Sequence, residues 1–253
     1  MSLQKLREEI DSCDARIKHF FEKRMHFVEE IAGLKKELGL PFYDPGREEA
    51  ILAGLGREAQ ELFRKIMELS RERQARLLFP FNIVLIGFMG TGKTSVGQKA
   101  ACLLGRPFYD LDQIIEKTIG MPLPQYFQRR GEASFRRKEK ELLCKFPFGD
   151  GPKVVLAVGG GAVLDPENAA LLRAKARLVL LTASSETIFK RIGAGAGRPL
   201  LGPEATADKI KRLQKARAPI YAACTQWRVD TDGLTVQAAA AEVLNQLALK
   251  SGS

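Results

Sequence analysis

The first forty residues carry the feature that most limits how this chain can fold. Apolar side chains recur at Leu3, Leu6, Ile10, Cys13, Ile17 and Phe20, then at Phe27, Ile31, Leu34 and Leu38, the three-and-four spacing of one buried helix face. A helix of roughly 36 residues is about 54 Å long, more than the diameter of a small domain. It cannot bury such a stripe within its own short segment. It should pair with another long helix, most simply from a second copy of the chain, which predicts a homodimer. Gly39, Pro41 and Pro45 end this helix, and Gly54 and Gly56 break a short second one. A third is expected near 57–78, burying Leu62, Phe63, Ile66 and Leu77.

From Phe81 onward the pattern changes. Short apolar runs (Asn82 to Ile86, Pro107 to Tyr109, Lys153 to Ala157, Arg177 to Leu181, Trp227 to Asp230) alternate with helical periodicity. Strands alternating with helices predict an α/β domain with a parallel sheet. The expected organisation is an all-α helical domain over residues 1–79 and an α/β domain over 81–250, with Pro80 marking the boundary and no long linker.

Charge follows the same division. Residues 1–80 hold 15 basic and 15 acidic side chains, so the net charge of +10 belongs to the remaining 173 residues. That asymmetry suits nucleic acid or a small polyanion. The basic residues fall in motifs suited to small anions, and no nucleic-acid-binding signature accompanies them. No run approaches the ~18 apolar residues of a membrane span, and Lys5, Arg7, Glu8 and Glu9 stand where a secretory signal would be apolar. Four cysteines without a CxxC pair and only two histidines, His19 and His26, argue against a disulfide framework or a zinc site. A cytoplasmic location is expected. Cys13 and Cys102 read as small core residues.

Gly87-Phe88-Met89-Gly90-Thr91-Gly92-Lys93-Thr94 follows the first strand and opens a helix expected from Ser95 to Leu104. This is the P-loop pattern in its proper context. Glycines let backbone N–H groups wrap a phosphate at a helix N-terminus, Lys93 reaches the outer phosphates, and the Thr94 hydroxyl suits magnesium. A nucleoside triphosphate with Mg²⁺ is the expected donor. The strand ending at Val158 runs into Gly159-Gly160-Gly161, where a bare turn would need one or two glycines and three permit close approach to a ligand. Asp110-Leu111-Asp112 places two carboxylates at the carboxyl edge of the sheet, where α/β ligands bind, although Asp112 would serve equally as a helix cap. Arg136, Arg198 and Arg217 offer guanidinium forks for carboxylate and phosphates.

These motifs, GFMGTGKT, YDLD, GEASFRRKE, VGGGAV, GRPLL and RAPIYAA, resemble shikimate kinase along the whole of residues 81–248. The resemblance implies that Gly87, Gly90, Thr91, Gly92, Lys93, Thr94, Ser95, Arg191 and Arg198 bind ATP, with Arg191 near the adenine. It implies that Asp112, Arg136, Gly159, Gly160, Gly161 and Arg217 bind shikimate, the arginines taking its carboxylate and Asp112 acting as general base. Thr94 and, through water, Asp110 would hold Mg²⁺. Arg198, on a lid spanning roughly 192–205, would close over the transferring phosphoryl group beside Lys93. One departure is that Asp232-Gly233-Leu234-Thr235 lacks the adenine-side arginine that relatives often carry.

The apolar stripe of the first helix is interrupted by Arg24, with Lys35 at its edge, and on the third helix it continues into Ser70 and Gln74. Polar groups facing a core are costly unless paired. Either they pair with one another and with Asp44 or Glu48, or they surround an anionic ligand within a helical bundle. Residues 3–77 resemble the all-helical, intertwined-dimer class of chorismate mutase at Arg7, Arg24, Lys35, Asp44, Arg47, Glu48, Ser70 and Gln74. The resemblance implies that Arg24 and a partner's Arg7 take the two carboxylates of chorismate. Lys35 and Gln74 would donate to its ether oxygen and Glu48 would take the ring hydroxyl, with Arg47, Asp44 and Ser70 completing the pocket. The segment between Arg47 and Ser70 is shorter than is usual for that class. A second reading therefore stays open at this point, a non-catalytic dimerising sensor of chorismate or prephenate attached to the kinase.

Overall fold

The computed structural model describes residues 2–149, 151–192 and 206–249. The chain divides into two compact units, one built mainly from the residues up to Phe79 and the other from Pro80–Leu247.

The helical unit begins with α1 (Leu3–Leu38), 36 residues without a break. Ser2 starts it by accepting the Lys5 amide on its hydroxyl, and Gly39 stops it in the left-handed conformation at φ 65°, where a glycine carries no Cβ penalty. Lys35 and Lys36 in the last turn complement the negative end of the helix dipole. Next come α2 (Pro45–Ala53), capped by Asp44, and α3 (Arg57–Leu78). The buried contacts between them are few: Val28 and Ala32 on α1, Met67, Ala75 and Leu78 on α3, and Phe42 edge-on to Phe79 at 5.1 Å.

The expected core of α3 differs from this. Leu62 and Leu77 are about half exposed and Phe63 and Ile66 are partly buried. The face of α3 turned to α1 carries Met67, Ser70 and Ala75 instead. Leu62, Phe63 and Ile66 join Ile17 and Phe20 of α1 along an open apolar groove of about 640 Å³. All the leucines, isoleucines and phenylalanines of the α1 stripe are exposed in the single chain, from Leu3 to Leu38.

The second unit is a three-layer α/β fold. β1 (Asn82–Gly87), β2 (Phe108–Asp110), β3 (Val155–Ala157), β4 (Ala176–Thr182) and β5 (Trp227–Asp230) form one sheet in the order β2-β3-β1-β4-β5. Every pairing is parallel, with Ile83 opposite Val155 on one side and Arg177 on the other. β1 is central and buried at every position, which is why its sequence is a continuous apolar run rather than an alternation. The crossovers are α4 (Lys93–Leu104), α5 (Leu111–Ile119), α6 (Leu123–Cys144), α7 (Pro166–Lys175), α8 (Ser185–Ile192) and α9 (Ala207–Cys224), and α10 (Val236–Leu249) follows β5. Leu111, Ile115, Leu143, Leu156 and Leu172 fill the core on one face of the sheet. α4 starts two residues before the expected Ser95 because Gly92, at φ 90°, turns the loop directly into the helix.

Cys13 and Cys102 are not core residues: both are exposed, and Cys224 is the buried one. Cys102 sits on the outer side of α4, between buried Ala101 and Leu103, and Cys13 lies on the exposed stripe of α1. Among the described residues no helix is long and apolar enough to cross a membrane.

Candidate active sites

The carboxyl ends of β1, β2 and β3 lie side by side, so the segments leaving them meet at one edge of the sheet, where doubly wound folds bind ligands. The loop after β1 turns through Gly87, Gly90 and Gly92, all at positive φ. Lys93 folds back to donate to the carbonyls of Gly87 at 3.0 Å and Phe88 at 2.9 Å. Buried Thr91 donates to the Phe88 carbonyl at 2.8 Å. These bonds hold the loop open as a cradle of amides at the start of α4. A cavity of about 530 Å³ adjoins it, lined by the loop, Ser95, Arg191, Thr231 and the apolar Leu234, Val236 and Ala239. Arg191 braces its far side, donating to the Gly90 carbonyl at 3.3 Å, the Thr231 hydroxyl at 2.9 Å and the Thr231 carbonyl at 2.8 Å.

The segment after β2 supplies two carboxylates with different tasks. Asp110, not Asp112, caps α5: its Oδ1 accepts the Asp112 amide at 3.0 Å while its Oδ2 accepts the Thr94 hydroxyl at 2.6 Å. The Asp112 carboxylate turns to the loop after β3. A Cβ placed on Gly159 would lie 2.8 Å from Asp112 Oδ1 and 3.0 Å from Glu139 Oε1. One on Gly160 would lie 3.3 Å from both the Gly87 carbonyl and the Met89 amide, and one on Gly161 would strike the Arg136 guanidinium. The three glycines are thus needed for three separate close approaches. α6 delivers Arg136 after Gly131, whose φ of 73° and ψ of 168° kink the helix in a region open only to glycine.

Arg136 pairs with Glu139 at 2.7 Å and Glu132 at 3.1 Å. Glu139 is wholly buried, and its Oε1 has no hydrogen-bond partner among the described residues. Burial drives its carboxyl up to about 7, against the opposing pull of Arg136, with Asp112 adding to the rise. From α9, the buried Nη1 of Arg217 has no partner among the described residues and its guanidinium stands 5.5 Å from the centre of the Phe88 ring. Tyr221, one turn on, donates its hydroxyl to the Gly160 carbonyl. Burial raises the Tyr221 phenol, offset in part by the nearby charges of Arg217 and Arg136. Two arginines, a carboxylate and a bare backbone therefore face one another beside the phosphate cradle.

The helical unit gathers its own polar cluster. Arg24 of α1 donates to the Ser70 hydroxyl of α3, and burial lowers its pKa. Lys35 donates to the Phe42 carbonyl at 2.8 Å. Burial lowers the Lys35 pKa, with Asp44 and Glu48 opposing. Glu48 is paired with Arg71. The Gln74 Oε1 is buried and has no partner among the described residues. Asp44 spends its carboxylate on the Arg47 amide at 3.0 Å, and the Arg47 side chain is exposed. Arg7 is exposed about 25 Å further along α1 from Arg24, at 1.5 Å per residue.

Residues 89–248 match the sequence profile described as shikimate kinase. The chain belongs to the shikimate kinase family. Residues 6–75 match the profile of chorismate mutase type II. A shikimate kinase of Thermodesulfovibrio yellowstonii is 41% identical over 165 residues, 65% of this chain and 94% of that protein. One of Moorella thermoacetica is 42% identical over 168 residues, 66% of this chain and 95% of that protein. Among solved structures, the shikimate kinase of Acinetobacter baumannii in complex with shikimate aligns over 68% of this chain and 96% of that one, with TM-score 0.64 and 33% identity. That of Aquifex aeolicus aligns over 66% and 96%, with TM-score 0.57 and 32% identity.

In this shikimate kinase fold, the expected donor-side residues Gly87, Gly90, Thr91, Gly92, Lys93, Thr94, Ser95 and Arg191 surround or brace one cavity. Asp112, Arg136 and Gly159–Gly161 meet directly, with Arg217 beside them. Arg198 and the rest of the expected lid from 193 on lie outside the described residues. In the mutase-like unit, Arg24 meets Ser70, and Lys35 stands near Asp44 and Glu48. Arg7 is not brought to them within one chain. Sequence reasoning did not single out Glu139, Tyr221, Thr231 or Arg71. Glu139 was legible in principle, three residues after Arg136 on one helix face. Tyr221 was legible in the same way, four residues after Arg217 on one helix, whereas Thr231 and Arg71 are placed by tertiary packing.

Proposed function

We propose that the chain is a bifunctional enzyme of aromatic biosynthesis, with a helical domain over residues 1–79 that rearranges chorismate to prephenate and a domain over 81–250 that phosphorylates shikimate from ATP. The observation that carries the kinase half is Gly160, which places the acceptor-side glycines in van der Waals reach of the phosphate loop.

In the kinase, the loop amides and Lys93 hold the nucleotide's phosphates, and Arg136 and Arg217 hold the acceptor's carboxylate. Asp112 accepts the proton of the attacking hydroxyl as its oxygen bonds to the γ-phosphorus and ADP departs. Phosphoryl transfer asks for positioning and positive charge rather than covalent help from the protein. The Thr94 hydroxyl and Asp110 carboxylate form a hard-oxygen pair suited to Mg²⁺. They would hold the ion, which supplies charge neutralisation at the transferring phosphates. Among the described residues no group of three or more His, Cys, Asp or Glu could hold a metal alone. Magnesium bound chiefly through phosphates and waters needs none.

The mutase reaction breaks a C–O bond and forms a C–C bond in one pericyclic step, so no nucleophile or base is involved. What is required is a compact conformer and donors at the oxygen that gains charge. Lys35 and Gln74 are those donors, Arg24 takes one carboxylate, and Arg7 of a second copy takes the other. The exposed α1 stripe supports this homodimer. Burying one Leu, Ile or Phe side chain contributes about 1.5–3 kcal/mol, and the stripe has nine exposed in a row of turns, from Leu3 to Leu38. The family profiles and the absence of a candidate membrane span among the described residues support a cytoplasmic location.

The test is two assays on the intact purified protein. One follows ADP release with shikimate and ATP, and the other follows chorismate absorbance without ATP. Turnover in both is expected. A folded dimer that leaves chorismate unchanged would make the helical unit a sensor, and failure to phosphorylate shikimate would remove the kinase reading.

A further inference from the structure

Arg71 is a largely buried cation of the helical cluster that neither catalysis nor carboxylate binding has used. It is one residue beyond Ser70 on α3 and reaches across to α2, where its Nη1 donates to Glu48 Oε1. Both side chains are largely buried, 19% and 25% exposed. Its guanidinium carbon lies 5.8 Å from the centre of the Tyr43 ring. Its Nε is buried and has no partner among the described residues. A guanidinium largely withdrawn from water, with one donor paired and its Nε unsatisfied, is costly unless something offsets it.

We infer that Arg71 is a positioning residue for the ligand of the helical unit. The inference rests on the mutase reading given above. A carboxylate offers two oxygens, and Arg71 occupies one of them. The hydrogen bond fixes the plane of the carboxylate, so that Glu48 Oε2 is presented to the ring hydroxyl in a single orientation. The Lys35 ammonium is near enough to Glu48 to feel its charge. Left without Arg71, Glu48 would turn to Lys35 and draw that donor from the ether oxygen. Arg71 therefore keeps the two charged members of the pocket apart, one for the hydroxyl and one for the ether.

The experiment is a double-mutant cycle on the full-length protein with Arg71→Met, Glu48→Gln and the pair, plus Arg71→Lys. It measures chorismate turnover, chorismate binding by calorimetry and the thermal midpoint. Arg71→Met is expected to weaken binding about tenfold and to lower kcat, and to cost less than threefold in the Glu48→Gln background, because the negative charge that Arg71 holds away from Lys35 is then gone. Arg71→Lys should restore part of the binding. Unchanged binding and turnover in Arg71→Met would overturn the inference, as would additive effects of the two substitutions. If the thermal midpoint falls, binding per folded site measured well below that midpoint decides, since a purely structural loss leaves it unchanged and lost positioning weakens it. A wild-type protein that neither binds nor converts chorismate overturns the mutase reading together with this inference, whereas wild-type turnover with an indifferent Arg71→Met overturns this inference alone.

Discussion

Thr94 donates its hydroxyl to Asp110 across 2.6 Å, joining the first turn of α4 to the end of β2. A hydroxyl and a carboxylate are thereby held together where a nucleotide's phosphates would enter. Asp110 also caps α5 through its other oxygen. Asp110→Asn preserves the cap, because asparagine caps as well as aspartate, but removes the charge. The variant should fold normally and need about tenfold more magnesium for half-maximal kinase activity. A magnesium titration of the kinase rate checks this.

Gly159→Ala inserts a methyl 2.8 Å from Asp112 Oδ1 and 3.0 Å from Glu139 Oε1. Both carboxylates are side-chain ends and will move aside, so the fold should survive. Asp112, the proposed base, will then be displaced from the acceptor hydroxyl, and a misplacement of about 1 Å costs on the order of 100-fold. Steady-state kinetics should show that loss in kcat for shikimate, with mutase turnover unchanged.

Glu139 supplies a pH prediction. Its carboxyl titrates near 7 in the fold, against 4.5 for an ordinary glutamate. Between these values the folded state binds more protons than the unfolded one, so the contribution of Glu139 to stability falls as pH rises from about 4.5 to 7 and is level above that. Glu139→Gln cannot charge and should flatten this slope. Compared from pH 4.5 to 7.5, the wild-type thermal midpoint should fall by several degrees relative to that of Glu139→Gln.

Lys35→Ala removes the donor assigned to the ether oxygen. An interaction made mainly in the transition state lowers kcat more than it raises KM, and loss of one such donor costs about 100- to 1000-fold. Chorismate kinetics with the kinase rate as internal control measure it. Retained turnover would strike Lys35 from the catalytic set.

Ile17→Glu places a charge on the exposed stripe beside Phe20 and Leu62. Burying an unpaired carboxylate between helices is costly. The variant should sediment as a monomer and lose mutase activity, while the kinase rate stays within about twofold, because the kinase unit has a core of its own.

How much of this was readable beforehand depends on whether a residue's role is local. The 36-residue helix and the glycine at its end were legible from spacing and capping chemistry. So were the P-loop and the five strands, although β3 covers only Val155–Ala157. Gly159, Gly160 and Gly161 could be read as a close approach, but not what each approaches, since Asp112, the P-loop and Arg136 come from three other elements. The exposure of Leu62 and Leu77 was not legible, because a 3.6-residue period says which face is apolar and not whether the same chain covers it. Nothing in the sequence marks Arg71, because its partner Glu48 is brought to it from α2 only by the fold.

The position of Gly160 has a consequence for how such an enzyme can change over time. A single side chain there would press on the last carbonyl of β1 and on the Met89 amide together, so a substitution at Gly160 cannot alter the acceptor side without also disturbing the phosphate loop. Changes confined to the acceptor side fall instead on side chains carried by helices, such as Arg217 on α9. Gly160 is thus answerable to two sites at once, whereas each side chain on those helices is answerable to one.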